Sequence, residues 1–143
     1  MFFVFLSETF YDHHNNCPEI EQKPTRPYLR LCITVNNTTF AVPFRSHIHH
    51  KHAYLTDPEN SAGLDFSKSV VISRPDYIDP SRRPQIRQHE FDAIKGKERL
   101  IEQKLIQYIH TYKKAKQRPD IPRNQTILKY STLQYFERYL RGI

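Results

Sequence analysis

The sequence predicts an α+β fold in which an antiparallel sheet comes first and helices follow. Three observations lead to this prediction: apolar residues alternate in the first half of the chain, their spacing becomes helical in the second half, and the length of 143 residues suits one domain. Because the strands precede the helices and do not alternate with them, the order favours α+β over α/β. We therefore expect a single domain over residues 1–143 with no internal repeat.

A β-hairpin is the clearest local prediction. Apolar residues alternate over Leu31–Val35, which is the period of a half-buried strand. Asn36-Asn37 follows, and asparagine tolerates the positive φ of a tight hairpin turn. The chain returns through Thr38–Val42, and we expect Pro43 to end the regular pairing because proline lacks an amide donor.

Two further segments favour strands, which gives a sheet of four to six strands. One is Ser69–Ser73, and the other is the apolar run Met1–Leu6, which no basic residue precedes and which Ser7-Glu8 ends. That run is shorter than a signal-peptide core or a membrane span, so we expect no membrane association. Cys17 and Cys32 match neither a metal knuckle nor a disulfide framework, which favours a reducing cytoplasmic location.

The second half predicts one long helix and one short helix. Apolar residues from Ile94 to Tyr112 recur at separations of seven, four, three and four, which places them on one helical face. Pro84 lies near the expected start of this helix, and Pro119 closes it. Residues Ser131 to Gln134 have the spacing of a capping box and predict the start of a final helix, with Leu133, Phe136 and Leu140 on its apolar face.

The charge of the chain favours a polyanionic partner. Lysine and arginine number 22 against 15 acidic residues, a formal net charge of +7. Such an excess is typical of proteins that bind nucleic acid, although a soluble basic protein with no such partner is the plain alternative. An aromatic share of 13% also suits stacking on bases.

The densest polar cluster is the segment Arg45-Ser46-His47-Ile48-His49-His50-Lys51-His52, directly after the hairpin. It has three interpretations. The first is a metal site, with His47 and His49 or His50 and Asp57 as ligands, but the spacing matches no established zinc pattern. The second is a solvated basic loop without chemistry. The third is a site that cuts RNA.

RNA cleavage needs no metal or cofactor when the substrate's own 2′-OH attacks the phosphate. It needs a base, an acid and cations that stabilise the crowded phosphate. Histidine titrates nearest neutrality and can fill either proton-transfer role. The segment after the hairpin offers a hydroxyl, several imidazoles and two cations just beyond a strand, where functional side chains are common.

A second cluster, Lys23–Tyr28, precedes the hairpin. Arg26 could hold a phosphate with two hydrogen bonds, and Tyr28 could stack on a base or belong to the core. Because a hairpin brings its two ends together, we expect Arg26 and Tyr28 to lie near Arg45 and Ser46.

A third cluster is Gly63–Lys68, ahead of the third predicted strand. Asp65 could orient a histidine and Lys68 could reach a phosphate, although a plain polar loop fits equally well. Other basic residues could follow an RNA backbone or simply form a solvated surface; these are the basic end of the long helix and Arg74, Arg123, Lys129, Arg138 and Arg141.

The order and spacing of these motifs resemble a known family. Arg26-Pro27-Tyr28, a hairpin and then Pro43-Phe44-Arg45-Ser46 resemble the opening of the type III toxin–antitoxin endoribonucleases, the family of ToxN, AbiQ, CptN and TenpN. Segments 43–48, 51–52, 63–72, 122–124 and 130–136 look most like the TenpN branch and together span nearly the whole chain.

The resemblance implies a twisted, partly barrel-like antiparallel sheet with flanking helices. It implies metal-independent cleavage that leaves a 2′,3′-cyclic phosphate, with a preference for adenine-rich RNA. It also implies inhibition by repeated, pseudoknotted antitoxin RNA, which the enzyme trims from a precursor and binds in a protein–RNA hetero-oligomer. Such systems commonly defend against phage by abortive infection. In ToxN-like members the proline motif ends in two hydroxyl residues with catalytic importance; the second matches Ser46, while Arg45 replaces the first.

We therefore predict a site in which Ser46 and the neighbouring histidines arrange the 2′-OH and the leaving oxygen. The predicted catalytic residues are Arg26, Tyr28, Arg45, Ser46, His47, His50 and Lys68. The predicted RNA-binding residues are Lys23, His49, Lys51, His52, Asp65, Arg74, Arg123 and Lys129. The alternatives are a non-catalytic RNA-binding module and a histidine-loop metalloenzyme.

Overall fold

The computed structural model describes residues 1–20 and 28–143 and confirms the predicted α+β class. The strands are β1 (Phe2–Val4), β2 (Arg30–Val35), β3 (Thr38–Arg45), β4 (Ala53–Asp57), β5 (Ala62–Asp65) and β6 (Val70–Val71). The helices are α1 (Glu8–His13), α2 (Gln88–Ile94), α3 (Glu98–Gln117) and α4 (Pro122–Tyr130). No helix in these residues is both long and apolar enough to cross a membrane.

All six strands join one antiparallel sheet in the order β1-β2-β3-β5-β4, with β6 also paired to β3. No pairing among the described residues joins β1 to β4, so the sheet is not closed into a barrel. The N-terminal run forms the edge strand β1, as predicted. Ser7 does end that run, but it also caps α1, because its Oγ accepts from the Phe10 amide at 3.3 Å.

The predicted hairpin is confirmed. β2 and β3 pair from Arg30–Pro43 to Val35–Thr38, and Asn36 and Asn37 take φ values of 48° and 64° in the turn. Positive φ at both central residues matches the right-handed twist of the two strands. β2 is buried at every position except Thr34, so Arg30 and Cys32 are buried on the side that the sequence pattern left half-exposed.

The expectation that Pro43 ends the pairing is wrong, since β3 continues to Arg45 and the Phe44 amide donates to the Leu29 carbonyl at 2.9 Å. Pro43 lies between the last β3 pair with β6, at Ala41, and the first pair with β5, at Phe44. The missing amide donor therefore falls where β3 changes partner, and β3 can carry Arg45 to the far end of the sheet.

The predicted long helix is two helices, α2 and α3. Gly96 separates them with a φ of 78°, a left-handed conformation that ends a helix. The expected start near Pro84 is therefore wrong, whereas the end before Pro119 is confirmed. The predicted apolar face is buried at every position, namely Ile94, Ile101, Leu105, Tyr108 and Tyr112.

The helix predicted from Ser131 is not α-helical. The chain there forms the 3-10 turns Thr132–Tyr135 and Glu137–Leu140, because Ser131 Oγ caps only the Leu133 amide (3.2 Å) and Gln134 bonds to carbonyls and not to an amide. The apolar residues of this segment still reach the core, as predicted: Leu133, Phe136 and Leu140 are buried. The unpredicted helix α4 begins at Pro122, a position where proline costs no hydrogen bond.

Gly63 has no room for a side chain, because a Cβ there would lie 2.2 Å from the Tyr54 carbonyl oxygen and 2.7 Å from Leu55 Cα. We expect Gly63→Ala to lower the free energy of unfolding by about 1–3 kcal/mol, the usual cost of overpacking. Urea unfolding checks this. An unchanged midpoint would show that β4 and β5 can separate without cost.

Candidate nucleic-acid groove and its histidine cluster

An open groove of about 940 Å³ runs between the sheet and the C-terminal helices. One wall is formed by the β3–β4 loop and the 3-10 turn after β5, and the other by the end of α3, by α4 and by the link between them. The sheet side contributes Arg45, His50, Lys51, His52, Ser67 and Lys68, and the helical side contributes chiefly Tyr108, Lys114, Arg118, Arg123, Asn124 and Tyr130.

The groove is lined by cations. Six arginine and lysine side chains line it, and no aspartate or glutamate does among residues 1–20 and 28–143. Three of the six have a carboxylate partner outside the lining, at Asp65, Glu19 and Asp120. The other three, Lys51, Lys114 and Arg123, make no ion pair with a described residue. A cleft lined by one sign of charge concentrates the opposite charge, here a polyanion.

Asp65 is buried beneath the groove and holds two of its lining residues in place by hydrogen bonds. Its side chain is 1% exposed and accepts from the Arg45 guanidinium (2.9 Å), the Ser67 amide (3.0 Å) and the Ser67 hydroxyl (2.6 Å). Burial alone would raise the pKa of this carboxyl, but hydrogen bonds from His50 and Ser67 and the charges of His50 and Arg45 outweigh it, so the pKa lies below its usual value. Asp65 is therefore ionised at neutral pH.

His50 is held in one tautomer. Its Nδ1 accepts from the His52 amide at 3.0 Å, so the proton of the neutral ring must lie on Nε2. Nε2 faces Asp65 Oδ1 at 3.2 Å and Ser67 Oγ at 3.3 Å. The structure thus brings Asp65 to a histidine, as the sequence predicted. Protonating Nδ1 would break the bond from the backbone amide, so His50 is suited to positioning more than to proton transfer.

His52 is the half-buried histidine of the groove. Its ring centre lies 5.2 Å from the ring centre of Tyr108 and 5.6 Å from that of His50. Burial, with smaller contributions from the charges of His50 and Lys51, lowers the pKa of His52 below its usual value of 6.5. The ring is consequently neutral at pH 7 and able to accept a proton.

Lys68 joins the two walls at one end of the groove. Its Nζ donates to the Tyr130 carbonyl at 2.7 Å and lies 3.5 Å from Glu19 Oε2. An ammonium carries three N–H donors, so one has no partner in the described part of the chain and is available to a ligand.

A smaller pocket of about 250 Å³ adjoins the groove and shares Arg45 and Lys68 with it. Tyr28 lines this pocket, and the Arg45 guanidinium carbon lies 5.8 Å from its ring centre. The predicted proximity of Tyr28 and Arg45 is therefore confirmed.

The structure brings part of the predicted site together. Residues predicted for catalysis or RNA binding that line the groove are Arg45, His50, Lys51, His52, Lys68 and Arg123. Ser46, His47 and His49 are exposed on the β3–β4 loop outside this lining, because His47 takes a φ of 56° and the loop buries Ile48.

The remaining predicted residues lie elsewhere. Lys129 sits beside the groove, with its Nζ 5.2 Å from the Tyr130 ring centre. Arg74 lies outside the lining and pairs with Asp76 at 2.7 Å. Lys23 and Arg26 lie outside the described residues.

The groove residues that were not predicted include Ser67, Tyr108 and Tyr130. For Ser67 the signal was present, since an aspartate two residues before a serine favours the turn in which both its amide and its hydroxyl bond to the carboxylate. Only some of the basic residues at the end of α3 face the groove. Lys114 faces the groove, whereas Lys113 bonds to the carbonyls of Leu140 and Ile143 and Lys116 pairs with Glu137.

Within the described part of the chain, no three histidine, cysteine or acidic side chains are placed to hold a metal ion together. No protein-family model matches the sequence, and comparisons with curated proteins and with solved structures also find no match.

Proposed function

We propose that this protein is a metal-independent endoribonuclease whose substrate lies in the cationic groove. The observation that carries the proposal is a cleft that, among residues 1–20 and 28–143, is lined by six basic side chains and no carboxylate, with a neutral histidine half-buried in its wall. RNA has a negatively charged phosphate backbone, which such a cleft attracts, and a 2′-OH, which a neutral imidazole can deprotonate.

The chemistry assigns a role to each group. His52 takes the proton of the 2′-OH, and the 2′-oxygen attacks the adjacent phosphorus. The bond from phosphorus to the 5′-oxygen breaks, which leaves a 2′,3′-cyclic phosphate and a 5′-hydroxyl. Arg45 and Lys68 stabilise the charge on the phosphate, and the open N–H of Lys68 delivers a proton to the leaving oxygen.

The remaining polar groups hold this arrangement in place. Asp65 fixes the Arg45 guanidinium, while Ser67 and the His52 amide fix the His50 ring. Tyr130 is 50% exposed at the groove and presents a ring on which an unpaired base can stack.

We further propose that the enzyme is the toxin of a type III toxin–antitoxin system in the cytoplasm, with repeat-derived antitoxin RNA as its inhibitor and partner. The support is the motif order that resembles the TenpN branch, together with a groove suited to RNA. In this proposal the enzyme processes its own antitoxin precursor and acts in phage defence by abortive infection.

The test is to incubate the purified, RNA-free protein with an adenine-rich transcript in EDTA and to map the new ends. We expect discrete cuts with cyclic-phosphate ends that added antitoxin RNA suppresses. Cutting only after metal is added would identify a metalloenzyme, and salt-sensitive binding without cutting would identify an RNA-binding module.

Two serine variants test whether the active site lies in the groove or at the position predicted from the sequence. Ser67 bonds to Asp65 and His50 inside the groove, whereas Ser46 is exposed outside it. Hydrogen bonds to charged groups contribute about 1.5–3 kcal/mol, so we expect Ser67→Ala to lower kcat/KM by about tenfold to a hundredfold. Ser46→Ala should change it little, and the opposite pattern in a cleavage assay would return the role to Ser46.

A further inference from the structure

The pocket beside the groove has the composition of a base-binding site. It shares Arg45 and Lys68 with the groove, and these are the cations assigned to the scissile phosphate. A nucleotide next to that phosphate therefore lies within reach of the pocket. Its other polar side chains are Glu19, Tyr28, Arg30 and Thr132, and its apolar walls are Pro18, Ile20 and Pro43.

Arg30 is a buried cation with an unused donor. It is 3% exposed, and its Nη1 donates to the carbonyls of Ala41 and Lys68, each at 3.2 Å. Its Nε is buried without a hydrogen-bond partner among the described residues. A buried donor left unmatched costs about 1–3 kcal/mol, so a site that retains one is suited to an acceptor supplied by a ligand.

Glu19 gives the same pocket an acceptor. Its side chain is 26% exposed, and the 3.5 Å separation from Lys68 Nζ is too long for a strong hydrogen bond. A carboxylate at this position repels a second phosphate but accepts from an amino group. The ring of Tyr28 and the flanking prolines complete a pocket with apolar walls and a few placed polar groups, as is typical of ligand sites.

We propose that this pocket binds the nucleobase next to the scissile phosphate and selects adenine, cytosine or guanine over uracil. Glu19 accepts from the exocyclic amino group that uracil lacks, and the Arg30 Nε–H donates to an acceptor of the same base. The position beside the cut rests on the proposed ribonuclease function, whereas the selection of bases does not.

The experiment measures binding apart from cleavage. Fluorescently labelled 2′-O-methyl pentanucleotides, which cannot be cut by 2′-OH attack, are compared by anisotropy as all-uridine or with one central A, C or G. We expect each substituted oligomer to bind the wild-type protein about tenfold more tightly than the all-uridine one. Glu19→Ala should bring that ratio close to one, whereas Glu59→Ala, an exposed carboxylate outside the pocket, should leave it unchanged.

Equal affinity for all four oligomers, absence of binding, or a ratio that survives Glu19→Ala would overturn the pocket assignment. Thermal unfolding of the Glu19 variant checks that its fold is intact. The two proposals can fail separately. Cutting in EDTA without base selection would contradict only the pocket assignment. Base selection without cutting would contradict only the ribonuclease function.

Discussion

His52→Ala is expected to lower the rate of RNA cleavage at pH 7 by about a hundredfold to ten-thousandfold, the usual contribution of a positioned base. The reason is that His52 is the groove histidine whose pKa is lowered by burial, and the Nδ1 of His50 is already occupied by a backbone amide. RNA affinity should be nearly unchanged, since the six basic side chains of the groove remain. Single-turnover cleavage and anisotropy on the same RNA measure the two effects.

The pH profile adds an independent check on this base. A base must be unprotonated, so activity is lost as the pH falls through its pKa. Because the pKa of His52 lies below 6.5, the acidic limb of the wild-type profile should have its midpoint below pH 6.5. His49→Ala serves as the matched control, because His49 is exposed on the same loop outside the groove. Full activity in His52→Ala, or a loss of equal size in His49→Ala, would contradict the assignment.

Asp65→Asn should reduce both stability and activity. The buried carboxylate accepts from Arg45 and from the amide and hydroxyl of Ser67, and an amide cannot replace the charge-assisted bonds. We expect the free energy of unfolding to fall by about 1.5–3 kcal/mol at pH 7. Cleavage should fall by about a hundredfold, because Arg45 and His50 lose their fixed positions.

The stability effect of Asp65 has a defined dependence on pH. The pKa of Asp65 is lowered in the folded protein, so its contribution is fully present above the unfolded value of 3.8 and is lost as the pH falls through the folded pKa. Wild type and Asp65→Asn should therefore differ at pH 7 and converge below pH 3.8. Asp76→Asn is the control, since Asp76 is exposed and its pair with Arg74 contributes little. Equal losses in both variants in urea unfolding would contradict the role of Asp65.

The sheet could be predicted where local chemistry decides the conformation. The alternation over Leu31–Val35 and the Asn36-Asn37 turn are properties of neighbouring residues, and both appear as predicted. Pro43 was misjudged because its effect depends on which strands flank β3, which neighbouring residues do not show. The break at Gly96 was available in the sequence, since a glycine between two lysines is a common helix end.

The site was predicted mainly on the sheet wall, with only Arg123 and the basic end of α3 predicted on the helical wall. The cluster at Arg45–His52 has an unmistakable composition, but which of its histidines face the groove depends on the left-handed turn at His47. The helical wall depends on packing between distant parts of the chain, such as the bond between Lys68 and the Tyr130 carbonyl. Spacing along the sequence does not contain that information, so Tyr108 and Tyr130 were assigned to no site.

The two walls of the groove are made at different times during translation. Residues 45–68 leave the ribosome well before residues 108–131, and domains fold progressively as the chain emerges. A chain that has not yet reached Tyr108 carries the basic loop, but it lacks the Tyr108 ring beside His52 and the Tyr130 carbonyl that accepts from Lys68. In the proposed ribonuclease, the site is complete only after the second wall has docked, so the messenger and ribosome that produce the chain would not meet a working nuclease before then.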